Sequence, residues 1–395
     1  MLSGDDVQAL LQGEPNCGSR RCGQMQFSAM TMNMYLPDYS DPQEDHRIIN
    51  MTVEQAVWLA ELGYNVWFTD HHFKGPWHSN TMQFAAFVLP QLPRERYIGF
   101  GVLSIPFYHP VRLVESMNLL DHFSEGRVVF GVGSGWQGTE PAALGIDPEY
   151  HASGQAAEDT LEVMQRLWSF RDGDPEYTFS IGHYSGHIKR RVMPTAYTQP
   201  HPIIIRVASR ESALVRAAHM GWPAFLGIFG ADLREQARIY RTALAEANHP
   251  PEVVERCLAW CSTDWLSLCV ADTDAEAKVR EKAAQAEQMA IRQQYLARYG
   301  RLDGPVMKPT PGKSTAEAYA KGGDMMASVA GSPDTVAAKI QELVDVGINH
   351  LHLRFIGEWA GKTRQTAKDS AELFAQEIMP RFAGVAPAPL ESLAR

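Results

Sequence analysis

The most promising candidate for chemistry is the run Asp70-His71-His72, which follows a short apolar segment. An imidazole exchanges protons near neutral pH, and an adjacent carboxylate can orient it, so the run predicts a general acid–base pair. Two other interpretations stay open: metal ligation, and a structural histidine bonded to backbone. No second His/Asp pair stands at another candidate strand end, which disfavours the metal. His71 and Asp70 are therefore the candidate catalytic residues.

A glycine-rich run, Gly131-Val132-Gly133-Ser134-Gly135-Trp136, follows another apolar segment. Glycines let a flat or anionic ligand approach the backbone closely. The run lacks the GxGxxG spacing and opens no short βαβ unit, so it does not predict a dinucleotide site.

A third run, Ala208-Ser209-Arg210-Glu211-Ser212, precedes a predicted helix. Backbone N–H groups at a helix N-terminus bind phosphate, and the serines and Arg210 would add donors. An ordinary N-cap is the alternative, because every helix needs one. Phosphate sites in α/β barrels often lie at later strand ends, which favours the binding interpretation.

Large aromatic residues occur near the same segment ends and predict a pocket for a ring compound. Taken one by one, each aromatic residue is better explained as part of the core. The four assigned to substrate binding are Phe73, Trp77, Trp136 and Phe229.

Eight short apolar segments, alternating with sequence of helical period, must position these residues. Such continuous apolar runs are typical of parallel strands buried on both faces. The pattern predicts an α/β fold, a (β/α)8 TIM barrel with long insertions, and a doubly wound open sheet is the competitor. The predicted strands are 25–30, 66–69, 98–103, 128–132, 203–207, 224–227, 265–270 and 350–355.

Helix signals and loop lengths complete the domain plan. Thr52 is the predicted cap of the first helix, Pro110 opens another, and Ser332 caps a third. Insertions are expected near 171–200 and 300–330, the second as a candidate lid. The plan is a flexible extension over 1–23, the barrel over 24–384 and a tail over 385–395.

Composition limits the function classes. The 395 residues carry a net charge of -10, which argues against nucleic acid and against an anionic membrane surface. The five cysteines predict no disulfide scaffold, and Cys257 and Cys261 are interpreted as buried apolar residues. No signal peptide and no apolar run of about 18 residues occurs, so we expect a cytoplasmic protein.

Five stretches resemble the bacterial luciferase-like (alkanal monooxygenase-like) flavin-dependent monooxygenases. Their order and spacing match the luciferase α-type chain from about residue 25 to 382. The stretches are GYNVWFTDHHF (63–73), HPVRLVESMNLLDHFSEGRVVFGVGSGW (109–136), PTAYTQPHPIIIRVASRESALVRAAHMG (194–221), GSPDTVAAKIQELVDVGINHLHLRF (331–355) and LFAQEIMP (373–380).

The resemblance implies a TIM barrel that binds reduced FMN. In that family the flavin reacts with O2 to give a C4a-hydroperoxide, which oxygenates a small substrate. A separate NAD(P)H:flavin reductase supplies the reduced flavin, and relatives usually dimerise through helices flanking the second and third strands. For this chain the aromatic residues point to an apolar or ring-containing substrate.

The resemblance also carries over individual residues. His71 is similar to the family's catalytic histidine, and Asp70 stands where luciferase has a glutamate beside the flavin. Gly101, Val102 and Leu103 match a strand end where a non-proline cis peptide supports the ring system. The remaining matches concern the flavin phosphate: Tyr150 with His151, and the run Ala208, Ser209, Arg210, Glu211 and Ser212.

One departure is informative. Luciferase has Cys-Arg where this chain has Gly133-Ser134. Loss of the cysteine disfavours light emission, and loss of the arginine removes a cation from the flavin site, for which Arg210 or His151 is the candidate replacement. Ser134 itself is still assigned to the cofactor site.

Three alternatives remain at this point. A deazaflavin (F420)-dependent oxidoreductase would use the same barrel. A non-catalytic partner subunit would account for the lost Cys-Arg pair, although it would not need His71. A metal hydrolase would use Asp70, His71 and His109.

Overall fold

The computed structural model describes residues 24–31, 41–72, 79–135, 139–208, 210–227, 232–299 and 328–390. Twelve strands occur in these ranges. They are β1 (Gln26–Met30), β2 (Asn65–Phe68), β3 (Ile98–Ser104), β4 (Val128–Gly133), β5 (Tyr177–Ile181), β6 (Tyr184–Ile188), β7 (Ile203–Val207), β8 (Ala224–Leu226), β9 (Ser262–Thr263), β10 (Leu266–Val270), β11 (Ser328–Gly331) and β12 (His350–Phe355).

The main sheet closes on itself. Its parallel order runs β1-β2-β3-β4-β7-β8-β9-β12, and β12 pairs with β1, Gln26 lying opposite His350. β10 continues from β9 along the same side of β12, so the two together act as one interrupted barrel strand. The TIM barrel is thereby confirmed, and the open doubly wound sheet is wrong.

All eight predicted strands form, with one break that the sequence did not reveal. The prediction of one strand over 265–270 is wrong at its start, because β10 begins at Leu266 and β9 lies before it. The Asp264 carboxylate accepts the Trp265 N–H at 2.8 Å, which removes that donor from the ladder. β11, next to β10, and the hairpin β5–β6 were not predicted as strands.

Helices cover the outside of the barrel. They are α1 (Pro42–Glu61), α2 (Thr81–Val88), α3 (Pro110–Ser124), α4 (Thr139–Ala143), α5 (Pro148–Ala152), α6 (Gln155–Ser169), α7 (Glu211–His219), α8 (Leu233–Glu246), α9 (Pro251–Ala259), α10 (Asp274–Tyr299), α11 (Pro333–Asp345) and α12 (Arg364–Leu373), which continues as a π turn over Phe374–Ile378.

The first helix begins earlier than predicted. Asp41 caps α1 by accepting the Gln43 N–H at 2.9 Å, and Pro42 occupies the first turn. Thr52 lies inside the helix, where its hydroxyl donates to the Ile48 carbonyl, so its assignment as the cap is wrong. The Pro110 start of α3 and the Ser332 cap of α11 are confirmed.

The apolar residues form two layers of core, one between strands and helices and one inside the barrel. We call the interior group Ser28, Trp67, Phe225, His350 and His352 the barrel bore. Its rings pack closely, with centroids 4.2 Å apart for Trp67 and His352 and 4.5 Å apart for Phe225 and His352. Gly99 leaves the room that the Trp67 indole occupies, because a Cβ there would lie 2.2 Å from Trp67 Cε2.

The insertion expected near 171–200 contains the hairpin β5–β6, which leans on the barrel where β3 ends. The Tyr184 hydroxyl donates to the Phe107 carbonyl at 3.1 Å. The other insertion lies outside the described residues up to 327, as do the extension over 1–23 and residues 391–395 of the tail. Cys257, Cys261 and Cys269 are buried thiols. Within the described ranges, every helix falls short of the length or the hydropathy needed to cross a bilayer.

Candidate active site

The carboxyl ends of the barrel strands meet at one rim, which we call the barrel mouth. Residues that follow β2, β3, β4 and β7 come together there, because parallel neighbours end at the same side. The register sets Phe68 opposite Phe100 and Val132 opposite Arg206. The segments singled out in the sequence are therefore neighbours in space.

Asp70 lies at the end of β2 and is held from three directions. Its Oδ1 accepts the Tyr108 hydroxyl at 2.9 Å and the Thr81 hydroxyl at 3.0 Å, and its Oδ2 accepts the Ser104 N–H at 3.1 Å. Burial raises the pKa of Asp70, although a neighbouring His72 and these three hydrogen bonds oppose that shift. Asp70 thus fixes the backbone that carries the histidines, a positioning role.

His71 contacts the carboxylate of Glu140, a residue distant in the sequence. Its Nδ1 lies 3.4 Å from Oε1 of Glu140, and the same oxygen accepts the His72 N–H at 2.8 Å. The His71 side chain is 12% exposed, whereas Glu140 is completely buried. An imidazole with one nitrogen held by a carboxylate can exchange a proton through the other.

Glu140 is the functional candidate that no local pattern reveals. It stands near the start of α4, 68 residues after His72 in the chain and away from any strand end. Its second oxygen, Oε2, is buried and has no hydrogen-bond partner among the described residues. Such an oxygen is costly unless a ligand or water donates to it.

An aromatic wall stands beside these groups. The Phe107 ring, in the turn after β3, makes an edge contact with His72 and stacks on His151, both at centroid distances of 5.7 Å. His151 Nε2 lies 2.5 Å from the Ser134 carbonyl, which ties α5 to the end of β4. The structure therefore places the predicted residues Ser134 and His151 near the segment that carries His71 and His72.

The strand end at Gly101-Val102 has a cis peptide bond, as the resemblance implied. Val102 is partly buried and packs with the apolar residues inside the barrel, where Val207 is a neighbour. Leu103 is fully buried and packs outwards, in the layer beneath the helices. A cofactor at the barrel mouth could touch the Val102 side chain but only the backbone of Leu103.

A donor-rich end of the barrel mouth lies at the start of α7. Arg210 occupies the N-cap position, and no described side chain caps the helix. The Arg210 guanidinium reaches the Ser153 carbonyl at 3.5 Å, which brings the start of α7 beside the end of α5. Ala208 is buried, while Glu211 and Ser212 are exposed on α7. Backbone N–H groups with one cation suit an anion.

Behind this end, Glu158 on α6 joins two arginines. It pairs with Arg206 of β7 and, at 2.9 Å, with Arg216 of α7. Burial lowers the pKa of Arg206, and Glu158 opposes that effect. The triad ties the first turn of α6 to the last turn of α7, and two arginines with one glutamate leave a net positive charge there.

Tyr150 is placed beside the same end but is already engaged. Its hydroxyl donates to Asp159 at 2.6 Å, and burial followed by that bond raises its pKa. The hydroxyl can still accept a hydrogen bond, whereas donation to a phosphate would require it to leave Asp159.

Other predicted residues do not join the site or lie outside the described residues. His109 makes ring contacts with Phe179 and Tyr184, so its imidazole packs on the hairpin. In the described part of the chain, no group of three His, Cys, Asp or Glu residues has the geometry of a metal site. The residues outside the described ranges are Phe73, Trp77, Trp136, Ser209 and Phe229.

Comparison with known proteins adds a family. The family model of the luciferase-like monooxygenases matches residues 25–350. A curated relative, 4-hydroxyprotoasukamycin monooxygenase of Streptomyces nodosus subsp. asukaensis, is 26% identical over 345 residues, covering 84% of this chain and 86% of that protein.

Solved structures share the fold. The oxygenating constituent of 3,6-diketocamphane monooxygenase from Pseudomonas putida, in complex with FMN, superposes with a TM-score of 0.65 at 18% identity, covering 91% of this chain and 99% of that one. An F420-dependent secondary alcohol dehydrogenase gives 0.59 at 16% identity, covering 90% and 98%.

Proposed function

The chain belongs to the luciferase-like monooxygenases, and from this membership we propose that it is a two-component, FMN-dependent monooxygenase. Reduced FMN would activate O2, and one oxygen atom would pass to a small apolar or ring-containing substrate. A separate NAD(P)H:flavin reductase would supply the reduced cofactor. The same barrel fold occurs in the diketocamphane enzyme, whose structure holds FMN.

The described residues fit FMN. The start of α7 with Arg210 offers donors and positive charge for the phosphate. The surface at Gly101-Val102 is apolar, as the face of the ring system requires. The cofactor would thus be held at two ends by Val102, Ser134, His151 and the segment 208–212, with Tyr150 alongside.

In this proposal His71 is the catalytic residue and Glu140 positions it. The carboxylate orients the ring through Nδ1, and Nε2 would move a proton at the reacting atoms. Asp70 holds the loop through Ser104, Tyr108 and Thr81, and so keeps the imidazole at the barrel mouth. A dry pocket matters because water would divert activated oxygen to H2O2.

The observation that carries the proposal is the pairing of His71 with a completely buried Glu140 at the rim of a family-matched barrel. The experiment mixes the protein with chemically reduced FMN and oxygenated buffer and follows the absorbance in a stopped-flow instrument. We expect a long-lived absorbing species other than oxidised FMN. Oxidation at the rate of free flavin, with no such species, would contradict the proposal.

We also propose a homodimer. Large apolar side chains are exposed on or beside α2 and α3, the helices that follow the second and third barrel strands. They are Phe87, Leu119, Phe123, Met193 and Tyr197. A patch of this kind is typical of an interface between protein chains. Sedimentation of the wild-type chain and of Phe123→Glu tests this, since the charged variant should be monomeric.

One observation favours a second candidate, hydride transfer with the deazaflavin F420. The F420-dependent alcohol dehydrogenase has the same barrel and covers 90% of this chain. Titration with FMN and with F420 separates the two candidates, because the preferred cofactor should bind much more tightly. Tight binding of F420 alone would replace the monooxygenase proposal.

A further inference from the structure

One histidine at the barrel mouth has a hydrogen-bonding state that a phosphate would not match. His151 is 3% exposed, and its Nε2 lies 2.5 Å from the Ser134 carbonyl. A carbonyl oxygen only accepts, so Nε2 carries the proton of the neutral ring. The other nitrogen, Nδ1, is then a bare acceptor, and it has no partner in the described part of the chain.

The surroundings keep this ring neutral until a ligand arrives. Burial lowers the pKa of His151, while the Ser134 carbonyl and the Glu140 carboxylate act in the opposite direction. The ring stacks on Phe107, which offers no hydrogen bond. A cation stands close along the chain, because Arg210 of α7 contacts the carbonyl of Ser153, two residues after the histidine.

A flavin phosphate in this place presents only acceptors. Near pH 8 it is a dianion with three strong acceptor oxygens, because its second pKa is about 6. An oxygen beside a bare Nδ1 would set two acceptors against each other in a buried corner. A proton between them turns that repulsion into a charge-assisted hydrogen bond.

We propose that FMN binding takes up one proton at His151. The proton comes from solvent and is held between Nδ1 and a phosphate oxygen, while Nε2 keeps its bond to the Ser134 carbonyl; no covalent bond of FMN changes. The second positive charge, beside Arg210, replaces the arginine that luciferase has in place of Ser134. This inference rests on the proposed function, because it requires FMN at the barrel mouth.

The charged groups around the ring agree with this assignment. Glu140 on α4 faces it from one side and favours the charged imidazole. On the side of α7, Arg210 contacts the Ser153 carbonyl, and Glu158 is shared by Arg206 and Arg216. A phosphate dianion added at Arg210 would bring negative charge towards the ring and favour its charged form, so protonation accompanies binding.

Calorimetry measures the proton directly. Oxidised FMN is titrated into the protein near pH 8, above the ordinary range of imidazole, in buffers with different enthalpies of ionisation. The slope of observed enthalpy against buffer enthalpy counts protons, and we expect about one per FMN. Riboflavin, which lacks the phosphate, should bind with a slope near zero. The dissociation constant of FMN should rise about tenfold per pH unit above neutrality.

Two variants assign the proton to its site. His151→Asn keeps a donor near the position of Nδ1 but cannot titrate, so it should bind FMN with no proton uptake. The matched control is His249→Asn, because His249 also bonds a backbone carbonyl through Nε2, at Ala218, far from the barrel mouth. It should keep the full uptake. Retained riboflavin binding shows that each variant is folded, and His151→Gln repeats the test if the Asn variant is not.

The outcomes separate the two proposals. Binding of FMN with no uptake by the wild-type chain overturns the inference and leaves the proposed function intact. Uptake that persists in His151→Asn also overturns it, since another group would hold the proton. Absence of FMN binding contradicts the proposed function, and the inference falls with it.

Discussion

The barrel bore and the barrel mouth both bury histidines, but they treat them differently. In the bore, His350 is bonded at both ring nitrogens, to the Ser28 and Ser262 hydroxyls at 2.7 Å each. At the mouth, His151 Nδ1 and Glu140 Oε2 are buried without partners among the described residues. Within those same residues the bore also has unpaired groups, namely the Trp67 N–H and both ring nitrogens of His352. These groups are neutral, because burial lowers the pKa of His352 to about 3, and an unpaired carboxylate oxygen costs more.

This difference indicates that the barrel bore stabilises the fold and that the barrel mouth binds ligands. Ring packing in the bore is complete without any ligand. The barrel mouth has hydrogen-bond acceptors that require a donor from a ligand or a water molecule. Substitutions in the bore should therefore change the free energy of unfolding, and substitutions at the mouth should change catalysis while stability stays nearly constant.

The strongest test at the mouth is His71→Ala. Loss of a general acid–base group lowers turnover by about a hundredfold to ten-thousandfold. The side chain is partly exposed, so the melting temperature should hardly move. Turnover is measured with any substrate that the wild-type chain oxygenates. Unchanged turnover would favour the non-catalytic partner subunit instead.

A smaller effect is expected from Glu140→Gln. The amide oxygen can still accept the His72 N–H, but the charge that holds His71 is lost. We expect kcat at saturating FMN to fall about tenfold or more. Thermal stability should change little, because the amide keeps an acceptor for the His72 N–H and is less costly to bury than a carboxylate. An unaltered kcat would remove Glu140 from the site.

The corresponding test in the bore is Gly99→Ala. The added Cβ would meet the Trp67 indole, which cannot move in a packed interior. Overpacking of this kind costs about 1–3 kcal/mol of unfolding free energy, measurable by urea denaturation. Gly384→Ala is the control, because a Cβ added at that glycine would enter open space. Equal stability of the two variants would contradict the contrast between the regions.

Acidification tests the buried histidines without any substitution. Burial lowers the pKa of His352 to about 3 and of His201 to about 4, and it also lowers that of His350. These groups stay neutral in the fold while the unfolded chain binds protons below about pH 6.5. The stability they contribute is complete above that pH and is lost as the pH falls towards 3, by up to about 1.4 kcal/mol per unit for each histidine.

Denaturation curves between neutral and acid pH measure this slope. Substitution of His219, which is exposed on α7, should leave the slope unchanged. His350→Gln should reduce it. A stability independent of pH across this window would show that the buried rings are not held neutral.

The fold was predictable because its signals are local. Each barrel strand is a short apolar run, and Pro110 and Ser332 mark helix starts by their own geometry. The interrupted strand was not predictable, since it depends on one side chain, that of Asp264, taking the next backbone N–H. The prediction of Thr52 as a helix cap failed for a different reason. A threonine hydroxyl inside a helix can donate to the carbonyl four residues earlier, as Thr52 does to Ile48.

The site was predictable only in part, for the same reason. His71 and Asp70 stand directly after a strand, where a barrel collects its chemistry. Glu140 reaches His71 from a short helix after β4, and no spacing along the chain reports that contact. Likewise, Tyr150 matches a family pair by position, but its bond to Asp159 follows from packing between α5 and α6.

Asp70 has a consequence for the evolution of the chain. Its two oxygens accept hydrogen bonds from Thr81, Ser104 and Tyr108. These bonds hold the backbone that carries the His71 imidazole rigidly against the ends of β2 and β3. Selection, or an engineer, can therefore exchange the residues that follow His72 to accommodate new compounds while the reactive ring stays in register. Anchoring of this kind allows the substrate to change while the catalytic chemistry of the imidazole is kept.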